Sequence, residues 1–135
     1  MEEVVHGDEF IIRRIPPGKP GQDTVLPPNG ERATSATLML REGEIGLSCS
    51  RLSITSPEEL LAQIDKSADE GWSVCEWKVS ELPEDLHVVV TPSDPPELDL
   101  GHCEIRAKPG NVYSRKLASK LAKVRKILLR GDLLP

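Results

Sequence analysis

The clearest rhythm in the chain is an alternation of apolar and polar positions that switches, twice, to a helical period. "EFIIRRI", residues 9–15, crowds β-branched residues together ahead of Pro16-Pro17-Gly18 and predicts a first strand. Residues 16–32 follow as a long loop rich in Pro, Gly and Asn. "TSATLML", 34–40, predicts a second strand, with Ala, Leu and Met leaving helix open, and "GEIGLSCS", 43–50, predicts a turn running into a third. In "TSPEELLAQI" Ser56 occupies the N-cap position, Pro57 N1 and Glu59 N3, the arrangement of a capping box. Leu60, Leu61 and Ile64 then share one face, so a helix is expected over 57–67. Three more strands are expected: 72–80 ("WSVCEWKVS", with neither face purely polar), 86–92 ("LHVVVTP") and 102–108 ("HCEIRAK"). Ser114 can cap a last helix running to about Leu129, with Leu117, Leu121, Val124 and Leu128 as its apolar stripe and Gly131 as its stop.

The predicted order, β-loop-β-β-α-β-β-β-α, implies an α+β fold: a mixed, mostly antiparallel sheet covered by two helices, the second C-terminal and basic. At 135 residues the chain suits one domain spanning 1–135, with residues 1–8 flexible. Aromatic residues make up only 3%, namely Phe10, Trp72, Trp77 and Tyr113. The core must therefore come from Leu, Ile and Val, with the two tryptophans as its largest pieces. No run of about 18 apolar residues exists to form a membrane span. The acidic start "MEEVVHGDEF" lacks the apolar stretch of a secretion signal. An odd set of three cysteines, Cys49, Cys75 and Cys103, argues against a disulfide framework and points to a reducing cytoplasm.

Charge is unevenly spread. Residues 1–110 carry 10 Lys/Arg against 21 Asp/Glu, whereas residues 111–135 carry 7 against 1. The basic positions Arg115, Lys116, Lys120, Lys123, Arg125 and Lys126 surround the expected stripe of the last helix. They form a candidate basic surface, though without the aromatic residues that would stack on single strands or anchor in a membrane. A helix docked onto an acidic body is the plainer expectation, and nucleic acid is the less favoured partner.

Few residues carry chemistry. No pair of cysteines or histidines has zinc-ligand spacing, so no metal or cofactor is implied. His87 and His102 lack the hydroxyl two residues on that a twin-histidine phosphoesterase requires, having Val89 and Glu104 instead. Neither Ser48 nor Ser50 lies in a nucleophile elbow. In "GHCEI" strand parity puts His102 and Glu104 on one side and Cys103 and Ile105 on the other. His102 can therefore be oriented by Glu104, while Cys103 packs inward. Arg13 and Arg14 are adjacent on a strand, so one must face inward or toward a cleft; with Arg51 they need a carboxylate, phosphate or carbonyl partner. An internal ion pair is the expected partner, and a bound anion the alternative.

The succession "FIIRRIPP", "ATSATLMLREGEIGLSCSRLSITSPEELL", "GWSVCEWKVSEL", "HVVVTPSDPPELDLGHCEI" and a Lys/Arg-rich helix resembles a group of small uncharacterised bacterial proteins over about residues 9–130. The resemblance carries no established activity. It implies a bacterial cytoplasmic origin and marks Arg14, Ser35, Ser48, Arg51 and His102 as the polar positions to follow. The expected function is that of a small soluble binding or accessory protein acting through a protein partner, one encoded nearby being a candidate. The alternative is a nucleotide- or nucleic-acid-binding protein or enzyme, with Arg13, Arg14, Ser35, Ser48, Arg51 and His102 lining an anionic-ligand pocket.

Overall fold

Ile11 and Ile12 are neighbours in sequence and both fully buried, which a strand allows only when both of its faces are covered. In the computed structural model, which describes residues 3–17, 24, 35–63 and 71–129, they belong to β1 (Phe10–Ile15). The remaining strands are β2 (Leu47–Arg51), β3 (Ser73–Lys78), β4 (Leu86–Val90), β5 (His102–Ala107) and β6 (Lys126–Leu129). They form one six-stranded sheet in the order β4-β5-β2-β1-β3-β6, with every pairing between these strands antiparallel. Two helices, α1 (Pro57–Ala62) and α2 (Arg115–Val124), complete the α+β fold.

The two isoleucines belong to two separate apolar clusters. Ile11 joins Ile15, Cys49, Cys75, Trp77 and Ile105 beneath Leu117, Ala118 and Leu121 of α2. Ile12 joins Val74 beneath Leu60 and Leu61 of α1. One helix therefore lies on each face, and β3, with neither face free, is buried from Ser73 to Trp77. Trp77 is the largest fully buried side chain and its indole Nε1–H donates to the Leu121 carbonyl at 2.9 Å, fixing α2 over the sheet. Trp72, expected as a second core piece, is only half-buried at the margin of the α1 cluster.

The α1 start forms as its sequence requires. The Ser56 hydroxyl accepts from the Glu59 amide at 3.1 Å and the Glu59 carboxylate accepts from the Ser56 amide at 3.2 Å. The helix is described to Ala62, with Gln63 as its C-cap; the expected continuation through 64–67 lies outside the described residues, as do Gly131 and most of the 16–32 loop.

Three expectations are corrected. Within the expected second strand, Ser35 and Ala36 are helical and the chain then turns and bends to residue 40, with Leu38 N–H bonded to Ser35 O and Met39 N–H to Ala36 O. Ala, Leu and Met favour helix over strand, and the turn drops Leu38 into the core, where the Tyr113 hydroxyl donates to its carbonyl at 2.5 Å. The final helix stops at Val124 rather than about Leu129. Arg125 turns extended (ψ 145°), and Lys126–Leu129 pair with β3 as β6. The buried face of α2 is accordingly Leu117, Ala118, Leu121 and Ala122, while Val124 is exposed. Finally, residues 3–5 of the expected N-terminal arm lie along β4: Val5 N–H bonds Val88 O, Val90 N–H bonds Glu3 O, and Val5 is buried.

All three thiols are free and buried, Cys49, Cys75 and Cys103 facing the α2 side. Burial pushes Cys75 and Cys103 up to about 12 and raises Cys49 strongly in the same direction. At pH 8 a thiol reagent should therefore modify the folded protein on the order of 1000-fold more slowly than the urea-unfolded chain. Because the folded thiols hold their protons while unfolded ones ionise from about pH 8.5, stability should fall as pH rises above that value. Rapid labelling of the native protein at pH 8 would contradict this burial.

Candidate functional site: a cleft where two strands part

β1 and β2 pair only at Ile11–Arg51 and Ile12–Ser50. Beyond that point β1 stays with β3 as far as Ile15, and β2 stays with β5 as far as Leu47. The backbone groups exposed by this parting need partners, and Arg13 supplies one. Its NH1 donates to the Ser48 carbonyl on β2 at 2.5 Å and its NH2 to the Thr37 carbonyl at 3.3 Å. Its Nε is buried with no hydrogen-bond partner among the described residues.

Arg14 points to the opposite face, toward α1. Its NH1 lies 3.3 Å from the Leu60 carbonyl and 3.5 Å from the Gln63 side-chain oxygen. Burial lowers its pKa, the Arg13 charge acts in the same direction, and Asp99 opposes both. The two guanidinium groups thus share a half-buried site with only carbonyl and amide oxygens bonded to them. Neither forms an ion pair among the described residues, contrary to the expected internal salt bridge.

Around them lies a cavity of about 780 Å³. Arg13, Arg14, Ser48 and His102 line it together, so four of the six expected polar residues converge. Ile12, Leu60 and Trp72 give an apolar wall, Ser93, Leu98 and Asp99 a mostly polar one, and Arg41, Glu44 and Asp94 also line the cavity. His102 Nδ1 is 2.9 Å from Thr91 Oγ1 and 3.1 Å from the Thr91 carbonyl. A carbonyl can only accept, so Nδ1 donates to it. Thr91, not Glu104, orients the ring: Glu104 accepts from Arg106 at 2.6 and 2.9 Å. The strand parity itself is as expected, with Cys103 and Ile105 fully buried on the other face.

Arg51 and Ser35 stand outside the cavity. Ser35 lies in the helical turn described above, its carbonyl accepting from the Leu38 amide. Arg51 sits on the α2 face of β2 and meets Glu9 twice, at 3.0 and 2.7 Å, with Glu3 at 3.8 Å. Of the candidate basic surface, Arg115, Lys116, Lys120, Lys123 and Lys126 are exposed, but Arg125 is buried and donates to the Thr24 carbonyl at 2.6 Å. Among the described residues no group of three His, Cys, Asp or Glu side chains could hold a metal ion, and no helix is long and apolar enough to cross a membrane.

Sequence reasoning passed over Asp99, which lay in what read as a plain loop. It is buried, and its carboxylate accepts from the Ser50 hydroxyl on β2, the Thr55 hydroxyl at 2.6 Å and the Gly101 amide at 3.0 Å. Gly101 is required by this closeness: a Cβ there would stand 2.6 Å from Thr55 Oγ1 and 3.2 Å from the Arg51 carbonyl. Ser93 Oγ, accepting from the Asp99 amide at 3.1 Å, ties the start of the same loop to its end. The only signal in the sequence was the pairing of hydroxyl residues at 50 and 55 with an acid beside a glycine.

Two outcomes follow from these contacts. Asp99→Ala leaves two hydroxyls and an amide buried without their acceptor, and should lower unfolding stability in urea by about 3 kcal/mol; a loss below about 0.5 kcal/mol would mean that the loop does not depend on it. For Glu9, the hydrogen bond from Arg51 outweighs burial and holds the carboxyl below its usual value. Its stabilising effect is complete above the unfolded carboxyl pKa near 4.3 and fades as pH falls through the folded value. Glu9→Gln should therefore cost up to about 1 kcal/mol at pH 7 and much less at pH 3, read from urea titrations at both pH values.

Comparison of the chain with protein-family models, with curated proteins and with solved structures gives no match in any of the three.

Proposed function

We propose that the protein is a binding module for a small phosphate-bearing molecule of nucleotide size, held in the cleft between β1 and β2. The observation that carries this reading is the pair of cations, Arg13 and Arg14, which line one cavity with only carbonyl and amide oxygens as hydrogen-bond partners among the described residues. A half-buried guanidinium without a counter-ion is costly, and a phosphate satisfies it bidentately. The Ser48 hydroxyl and His102 add hydrogen-bonding groups on the β2–β5 side. Trp72, Ile12 and Leu60 offer an apolar surface for the rest of the ligand. A volume of about 780 Å³ lies within the usual range for small-molecule sites.

Nucleic acid is the weaker form of the same reading, because the cations sit inside a cleft of a chain with net charge −5 rather than along a ridge. We place the protein in the bacterial cytoplasm as part of this proposal, three free thiols being suited to a reducing compartment. A protein partner is a separate reading and belongs to a different surface, the groove beside α1.

Trp72 lines the cavity and Trp77 is buried away from it, so ligand entry should change the fluorescence of one indole only. Titration with ATP, ADP and inorganic phosphate should give a saturable fluorescence change and a raised melting temperature. Arg14→Gln should weaken the effect about tenfold or more, whereas Arg51→Gln, on the other face, should leave it unchanged. The absence of saturable binding up to millimolar nucleotide would reject the proposal.

A further inference from the structure

Asp99 is extended (φ −145°, ψ 98°) and buried, so its neighbours Leu98 and Leu100 are turned the other way. They are 50% and 77% exposed, and Ile54, from the turn after β2, is 44% exposed. Ile54, Leu98 and Leu100 meet in a second groove of about 380 Å³ bounded by Ala62 and Gln63 of the α1 end. Its charged lining is wholly acidic: Glu59, Glu97 and the inward-held Asp99. Three large apolar side chains displayed together by a rigid loop are not required by the fold, since the Asp99 contacts that shape the loop use none of them.

We infer that this groove docks a segment of a partner protein that carries apolar side chains flanked by Lys or Arg. Charge complementarity selects the occupant: an acidic rim around apolar contacts favours a basic amphipathic segment and repels an acidic one. A second copy of this chain is a poorer fit. Its basic helix α2 already has Leu117, Ala118, Leu121 and Ala122 buried against its own sheet and retains no apolar stripe to insert.

A fluorescein-labelled Leu/Lys amphipathic peptide serves as the probe, with a Ser/Lys peptide of equal charge and a Leu/Glu peptide as controls. The full chain should bind the Leu/Lys peptide saturably and each control at least tenfold more weakly. Leu100→Asp and Glu97→Lys, both at the surface, should each weaken binding about tenfold while leaving the circular dichroism spectrum and melting temperature intact. Equal binding of the Ser/Lys peptide, or unchanged binding by both variants, would overturn the inference. So would sedimentation of the wild-type chain as a dimer that Leu100→Asp converts to a monomer, which would assign the groove to a second copy.

Discussion

One buried carboxylate organises the end of this molecule where both concavities lie. Asp99 gives up hydration worth several kcal/mol, and recovers it from three donors that come from β2, the turn after β2 and its own loop. Those donors hold residues 93–101 in one place, across the end of the sheet. The loop then forms a wall of the larger cavity, turns Leu98 and Leu100 outward, and delivers the chain to β5 with His102 facing the cleft. Without that acceptor, the proline-rich segment would keep only weaker ties, such as Ser93 Oγ to the Asp99 amide and the Gln63 side chain to the Leu98 carbonyl.

The second constraint is the parting of β1 from β2. An open ladder in the middle of a sheet exposes backbone carbonyls, and Arg13 answers one of them with a long side chain that reaches across the gap. This explains how two adjacent arginines, which strand geometry sends to opposite faces, come to line a single cavity: the sheet is interrupted where they lie. A continuous ladder would have buried Arg13 in the α2 core or left it in solvent. The same interruption separates Arg51 from the group, because Arg51 lies where β1 and β2 are still paired and its face is the one carrying Glu9.

Much of the architecture was legible because it depends on local rules. The capping box at Ser56–Glu59 and the parity of His102–Ile105 involve only neighbours in sequence, and both appear as expected. The strand count of six also agrees, but through two compensating errors: 35–40 is a helical turn and 126–129 is a strand. At 34–40 Ala, Leu and Met left helix open beside the expected strand, and their helix preference prevails at Ser35 and Ala36. The second came from a basic, leucine-containing period that continues past Val124 in sequence but not in space, where the free edge of β3 captures Ile127–Leu129. Asp99 and Trp72 were illegible for a different reason. Their importance rests on contacts with residues far along the chain, such as Asp99 with Ser50, and no periodicity announces those.

The two concavities share Leu98, Asp99 and Gln63, so a single ridge divides the arginine-bearing cleft from the acidic-rimmed groove. Their different linings follow from which side of the ridge each residue faces. Arg14 approaches the ridge from β1 and reaches Gln63, whereas Glu59 and Glu97 lie beyond it with the exposed leucines. The cleft itself is mixed in charge, with Arg13, Arg14 and Arg41 set against Glu44, Asp94 and the inward-held Asp99, so an anion there would be held by the half-buried arginine pair, where solvent screening is weak. Any change to Asp99 disturbs both concavities together, whereas changes at Arg14 or Leu100, one on each side, alter one without the other, and so separate the proposed ligand site from the proposed docking groove.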